Sequence, residues 1–310
     1  MDRTKAFGTL AVAILLIELL CGCVVVPGNG GSGTITVTDD NGRTVSVNAS
    51  AQRLISLAPS DTEILYALDL GDKVVAVDNN TNFPAEAANK TKVSGYKWLD
   101  LETILSLTPD IIFAADINKD MVPQLEARGL KVIVLAPKNI SGIFKDIRLV
   151  GKVMGIKDKA NTLASQLEGR VKAVTDKTMA KGVFKLRTYL ELDAFMGYYT
   201  YGPNTFGDEL ITLSGGDNIA ARKEYVTIQY PMLTDEYIIA SDPQVIVYQL
   251  GPWTTTTPQG IKGRTGWGNI TAIKGNKLYG VDGDLISRPG PRIVDGLEAM
   301  ARTIHPELIT

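Results

Sequence analysis

Short β-branched runs alternate with stretches of helical period along this chain, and the alternation occurs twice. Leu54-Ile55-Ser56-Leu57 reads as a strand, Asp61 to Leu70 as a helix capped by Ser60 or Asp61, and Val74 to Val77 as the next strand. Ile111-Ile112-Phe113-Ala114 follows a helix predicted from Leu101 to Leu107, and Val132-Ile133-Val134-Leu135 follows one ended by Gly129. Strands separated in this way by helices specify a parallel sheet with helices on its faces. The pattern resumes in the second half. Thr188-Tyr189-Leu190 is strand-like, Phe206 to Leu213 helical, and Val245-Ile246-Val247-Tyr248 reads as a buried strand. A closing helix is predicted from Pro291 to Ile304, with Ile293, Leu297, Met300 and Ile304 on one face. Pro291 suits its first position and Gly290 its cap.

Between the halves lies a helical stretch from Ser141 to Met179. Ile143, Ile147, Val150 and Met154 form one apolar stripe. Gly155 breaks it, Asp158 can cap the helix beyond the break, and Ala160, Leu163, Leu167, Val171 and Val174 form a second stripe. A long helix is a stiff connection, unlike a pair of loop hinges, and it predicts only a small closure of one half on the other. The halves also match in detail. Glu102 to Ile112 and Glu236 to Ile246 share a spacing in which a glutamate opens a short helix, a proline follows, and a strand begins. Asp100 can cap the first helix and Thr234 the second. Taken alone, these glutamates need no function, since an acidic residue near a helix N-terminus gains ~0.3–1 kcal/mol from the macrodipole.

Both cysteines, Cys21 and Cys23, stand near the N-terminus. Arg3 and Lys5 precede an apolar run from Phe7 to Leu20, interrupted by Glu18. Basic, apolar, then small residues is the order of a secretory signal, and the run is short of the roughly 20 residues that a spanning helix needs. Leu20-Cys21-Gly22-Cys23 resembles the lipobox of prokaryotic lipoproteins, which makes Cys23 the lipidated residue and discards Cys21. A Cys-x-Cys metal or redox site is the competing reading, and no second Cys or His cluster completes it. Gly28 to Gly33 formally matches G-x-G-x-x-G but does not lie between a strand and a helix. It reads as a flexible tether, with Thr34 to Val37 alternating like a strand beyond it.

Composition removes several classes of function. Formal net charge is −2, from 32 basic and 34 acidic residues. That leaves no basic excess to neutralise phosphates and argues against nucleic acid as a partner. The one histidine, His305, cannot build a multi-His zinc or iron site. Ser214 lies in Thr212-Leu213-Ser214-Gly215-Gly216 and not in a G-x-S-x-G elbow, and no G-x-x-x-x-G-K-[ST] phosphate loop is present.

Arg53 to Leu65, Val93-Ser94-Gly95-Tyr96 leading into Asp100-Leu101-Glu102, and Leu107 to Ile112 together carry a family resemblance. They resemble cluster-A-III substrate-binding proteins of ABC importers, the family of the vitamin B12-binding and ferric-siderophore-binding proteins. Thr234 to Val247 and Arg288-Pro289-Gly290-Pro291-Arg292 add to it, and the likeness runs from about Thr34 to Glu307. It implies an α/β fold of two Rossmann-like lobes joined by a single long α-helix, with the ligand cleft between the lobes. The boundaries expected are a signal peptide with lipobox over 1–23, a tether over 24–33, an N-terminal lobe over 34–155, the interlobe helix over 156–180 and a C-terminal lobe over 181–310.

The same resemblance implies a non-enzymatic, lipid-anchored, extracytoplasmic receptor at the outer face of the cytoplasmic membrane. It would deliver a metal chelate, a ferric siderophore or a corrinoid, to an ABC permease dimer with separate ATPase subunits. No cofactor, no protein-bound metal and a monomer are expected. Glu102 and Glu236 would dock onto permease arginines. Ligand-facing candidates at the carboxyl ends of the strands are Pro59, Ser60, Tyr96, Trp98, Asp116, Tyr198, Tyr199, Tyr201, Trp253, Trp267 and Arg288, with about half of the aromatic residues expected to pack inward. A corrinoid would rest on aromatic packing and amide hydrogen bonds. An anionic siderophore would lean on Arg288 and Lys97. Arg292 is expected to form a structural salt bridge. A chelatase-type enzyme and a surface sensor or adhesin are the alternatives on the same scaffold.

Overall fold

A computed structural model of the protein describes residues 33–95, 98–193, 197–252 and 254–309. The signal, the lipobox with Cys23 and nearly all of the tether lie outside these residues, as do Tyr96, Lys97 and Trp253. The described residues form one compact unit.

Each half builds one sheet. In the first, the strand order is β6-β5-β4-β3-β7-β8. Here β3 is Leu54–Ser56, β4 Val74–Asp78, β5 Thr91–Gly95, β6 Trp98–Leu99, β7 Ile111–Ala115 and β8 Val132–Leu135. All pairs are parallel except the edge pair β5–β6. The second sheet runs β12-β10-β9-β13-β14, with β11 also on β9. These strands are β9 Leu186–Asp193, β10 Tyr198–Thr200, β11 Gly216–Asn218, β12 Met232–Leu233, β13 Val245–Leu250 and β14 Leu278–Asp282. Its centre is parallel, but β10 and β12 are antiparallel additions. These short antiparallel edges carry no long β-branched run, which is why the sequence reads as parallel throughout.

A hairpin, β1 (Thr34–Thr38) with β2 (Thr44–Asn48), precedes the first sheet. Its turn covers the outer edge of β8. The Asp40 amide donates to the Val134 carbonyl, the Asp39 carboxylate accepts from the Val134 amide at 3.1 Å, and the Asp40 carboxylate accepts from the Ala136 amide at 2.7 Å. An open strand edge is thereby satisfied within the chain.

The connecting stretch is two helices, Ile140–Val153 and Lys157–Thr178. Asn139 caps the first through its side chain, which accepts from the Gly142 amide at 2.8 Å. Gly155 turns the chain with φ +71, and a Cβ on Gly151 would overlap Ala160, so the two helices pack closely there. No side chain caps the second helix, whose N-cap is Ile156. Two other boundaries differ from expectation. The helix after β3 begins at Pro59, not at Asp61, because proline fits the first turn and Ala58 is its cap residue. The last helix is Ile293–Ile304 with Arg292 as its cap residue.

The two connecting helices join the lobes through one apolar core. Ile143, Ile147, Val150, Ala160, Ala164, Leu167 and Val174 belong to the same cluster as Leu54 and Phe113 of the first sheet and Leu190 and Val247 of the second. Each fully buried aliphatic side chain here contributes ~1.5–3 kcal/mol. A separate core covers the other face of each sheet. The floor between the lobes is therefore continuous packing.

Candidate functional site

A cleft of about 370 Å³ opens between the lobes, at the carboxyl ends of their strands. Ala58, Pro59 and Ser60 follow β3, Ala115 ends β7 with Asp116 and Ile117 beyond it, and Leu135 ends β8 with Ala136 to Lys138 beyond it. From the second lobe come Asn204 to Phe206, Gln229 and Tyr230, and Ser287 to Pro289. Phe206 opens the Phe206–Leu213 helix, whose cap Thr205 accepts from the Asp208 amide at 3.2 Å. Gln229 and Tyr230 are held because their segment pairs with the chain after β10. The Gly202 amide donates to the Gln229 carbonyl at 2.7 Å, and the Thr200 amide to the Pro231 carbonyl at 3.1 Å.

Pro59, Ser60, Asp116 and Arg288 thus line the cleft as the sequence suggested. The aromatic wall is different. Trp267 is fully buried, packed on Tyr189 and Tyr198, and its indole donates to Asp235 at 2.6 Å. Tyr201 is also buried, its hydroxyl donating to Gln249 at 2.9 Å and its ring lying edge-on to Tyr230 at 5.8 Å. It supports the cleft from behind. Tyr198 stacks on Trp267 and on Arg264, whose guanidinium lies 4.7 Å from its ring. Tyr199 is half-buried in β10, and Trp98 stands exposed on the outer edge strand β6. None of these five lines the cleft: pairing in β10 and β6 turns Tyr198, Tyr199 and Trp98 elsewhere, and Trp267 and Tyr201 are packed inward. Among the described residues, the aromatic side chains of the cleft are Phe206 and Tyr230. Tyr230, about half exposed in an otherwise apolar-alternating segment with Val226 and Ile228, was the available signal.

The charges of the cleft are paired. Arg288 donates to the Asn82 side chain at 2.6 Å, binds Asp284 at 2.9 Å and lies 3.7 Å from Glu63. It stands between the cleft and a second hollow of about 290 Å³ lined by Asn79, Asn80, Asn82, Gln249 and Asp284. Arg288 is therefore not the free cation that the sequence suggested. Lys138 faces Asp116 at 3.7 Å. Beneath Ser60, the fully buried Asp61 carboxyl is pushed up to about 8, first by burial and then by the Asp78 charge, against a hydrogen bond from Ser60. Burial likewise raises Asp78, against hydrogen bonds from Thr81 and Asn80. The remaining polar groups are amides and hydroxyls, from Ser60, Asn204, Thr205, Gln229 and Ser287.

Arg292 crosses between the lobes. It binds Glu63 at 2.6 Å and lies 3.9 Å from the Phe83 ring, so the expected structural salt bridge is an interlobe one. Glu102 and Glu236 are both exposed, each in the first turn of a short helix, Leu101–Ser106 and Asp235–Ser241. Asp100 and Thr234 cap these helices as expected, accepting from the Thr103 amide at 3.0 Å and the Tyr237 amide at 3.2 Å. Among the described residues no group of His, Cys, Asp and Glu could hold a metal ion, and no helix is long and apolar enough to cross a membrane.

A cleft between two α/β lobes, floored by the core that the two connecting helices share with both sheets, is matched by sequence. The family described as periplasmic binding protein fits residues 54–285. The chain belongs to that family. Among its relatives is an ABC transporter substrate-binding lipoprotein of Bacillus subtilis, uncharacterised in function, which is 31% identical over 280 residues, 88% of this chain and 86% of that protein. A cobalamin-binding protein of Halobacterium salinarum is 27% identical over 277 residues, 87% of this chain and 74% of that protein. The crystal structure of a possible iron-binding (periplasmic solute-binding) protein from Staphylococcus epidermidis superposes with a TM-score of 0.72 at 26% identity, covering 82% of this chain and 99% of that one. The chain is a substrate-binding protein of the ABC importer type, and the periplasmic binding protein works with a permease and a small-molecule ligand.

Proposed function

We propose that this substrate-binding protein captures a corrinoid outside the cytoplasm, without catalysis, and hands it to its ABC permease. The observation that carries the reading is the pairing of the two cations that line the cleft among the described residues, Arg288 with Asp284 and Lys138 with Asp116. An anionic ferric siderophore needs uncompensated positive charge, since burying an unpaired charge is costly. A corrinoid offers amide arms and an apolar macrocycle face. Ser60, Asn204, Gln229 and Ser287 supply hydrogen bonds to amides, and Pro59, Ile117, Phe206 and Tyr230 supply apolar contact. The cleft volume lies at the low end of the roughly 300–1,000 Å³ usual for ligand sites, so a large chelate would be gripped along its edge between the lobes. The cobalamin-binding relative points to the same ligand class.

Glu102 and Glu236 are read as the permease-docking pair, Cys23 as the lipid anchor, and the receptor as a monomer. Charge-assisted contacts from two lobes would fix register on a two-fold permease. Replacement Cys23→Ser should move the protein from the membrane fraction to the medium or periplasm.

The deciding experiment is a titration of the chain from Val24 onward with cyanocobalamin, followed by calorimetry. Saturable binding at micromolar ligand or below is expected. No heat with cyanocobalamin, together with saturable binding of ferric enterobactin, would overturn the corrinoid assignment.

A further inference from the structure

The two lobes repeat more than a glutamate. Glu102 is preceded by a cap residue, Asp100, and by a two-residue edge strand, β6, that begins with Trp98. Glu236 is preceded by a cap residue, Thr234, and by a two-residue edge strand, β12, that begins with Met232. The spacing from the large apolar residue to the cap and to the glutamate is the same in both lobes. Each strand is the outermost of its sheet.

Both apolar side chains are exposed, Trp98 by 48% and Met232 by 53%. Both are also held in place. Trp98 pairs with Gly95, and a Cβ on Gly95 would overlap its indole. Met232 pairs with Tyr199, and a Cβ on Gly197 would overlap its sulfur. In each lobe a large apolar side chain therefore rests on a glycine and turns its other side to solvent. Gly95 ends β5, and Tyr199 pairs with Asp193 at the end of β9. Both side chains consequently stand at the carboxyl ends of the parallel strands, the end at which the cleft opens. Neither lines the cleft.

A large apolar side chain fixed on a rigid edge strand and left half in water is the composition of an interface anchor. Occurring once per lobe, beside an exposed carboxylate without an ion-pair partner among the described residues, it fits a partner with two-fold symmetry. We propose that each lobe carries a two-part permease foot, in which Trp98 or Met232 is the apolar anchor and the glutamate four residues later is the charged one. The proposal rests on the docking reading of Glu102 and Glu236, and it moves Trp98 from the ligand to the permease. The carboxylates give register and the apolar pair gives residence time, since rim charges act mainly on the rate of encounter.

The test is photocrosslinking in cells with p-benzoyl-phenylalanine placed singly at 98, 232, 102, 236 and, as a control away from both feet, at the exposed Phe184. Adducts are identified by mass spectrometry. The result expected is a covalent product with an ABC permease subunit from 98 and 232, and none from 184. Permease adducts from 102 and 236 but not from 98 and 232 would overturn the apolar feet and leave the carboxylate reading standing. Absence of adducts from all four foot positions would overturn both. A second measurement separates docking from ligand binding. Trp98→Ala should leave cyanocobalamin affinity within twofold of the parent chain, and a loss of tenfold or more would return Trp98 to the ligand and sink the proposal.

Discussion

Two buried carboxyls make the molecule's stability depend on pH. Asp61, under the cleft wall, is raised to about 8, and Asp146, on the Ile140–Val153 helix, to about 9, in each case chiefly by burial, with the Asp40 charge adding to the second. Both remain protonated in the folded chain at neutral pH, whereas in the unfolded chain they ionise near pH 4. Between those values the folded state holds more protons than the unfolded state. Their stabilising effect is full only below about pH 4 and declines as pH rises toward the folded values, by up to ~1.4 kcal/mol per pH unit for each group. Urea midpoints should therefore fall from roughly pH 5 to pH 8, and Asp61→Asn with Asp146→Asn should flatten the decline. A midpoint constant over that range in the parent chain would mean that both groups are already ionised when folded. In the second lobe, Glu191 is almost wholly buried and takes a bidentate contact from Arg264 at 2.5 and 2.8 Å. Arg264→Met strands that charge, and a loss of ~3–5 kcal/mol is expected in chemical denaturation.

At the scale of the elements, what the sequence announces is what recurs with a period. The strands β3, β4, β7, β8 and β13, the two connecting helices and the paired caps Asp100 and Thr234 were all legible there. The described aromatic candidates, of which about half were expected to pack inward, all stand away from the cleft for a physical reason. In Tyr198-Tyr199-Thr200-Tyr201 only the backbone decides which ring meets solvent, and β10 pairs on both sides, so the sheet buries rings that a composition count sends to the cleft. Phe206 reaches the cleft at a helix start, which carries no periodic signal, and Tyr230 through a loop whose alternation with Val226 and Ile228 is too short to mark an element. The N-terminal hairpin was legible only as a strand. Its attachment depends on Asp39, whose buried carboxylate also binds Arg43 at 2.5 Å. Asp39→Ala should cost ~1–3 kcal/mol, since it leaves the Val134 amide without its acceptor and takes from Arg43 its buried carboxylate, leaving that guanidinium only Glu126 and the Val132 carbonyl. An unchanged urea midpoint in that variant would show that the hairpin does not hold the edge of β8.

At the scale of the whole molecule, the lobes are joined on two sides. Below the cleft runs the continuous core around the Lys157–Thr178 helix, and beside it Glu63 binds Arg292 while Asn82 binds Arg288. The prediction is that X-ray scattering curves of the ligand-free and ligand-bound chain differ little. A double variant, Glu63→Gln with Arg292→Met, should widen the ligand-free particle and weaken ligand binding by roughly tenfold, about 1.4 kcal/mol. Scattering that changes greatly on binding in the parent chain would show the fastening to be looser than its contacts imply. That fastening bears on how the ligand leaves. A cleft whose walls are already set before the ligand arrives loses little freedom on loading, so nothing stored during capture is available to expel the cargo. Unloading then requires outside work, applied to the two lobes in opposite directions, and such a pull would have to break the Glu63–Arg292 and Asn82–Arg288 bonds.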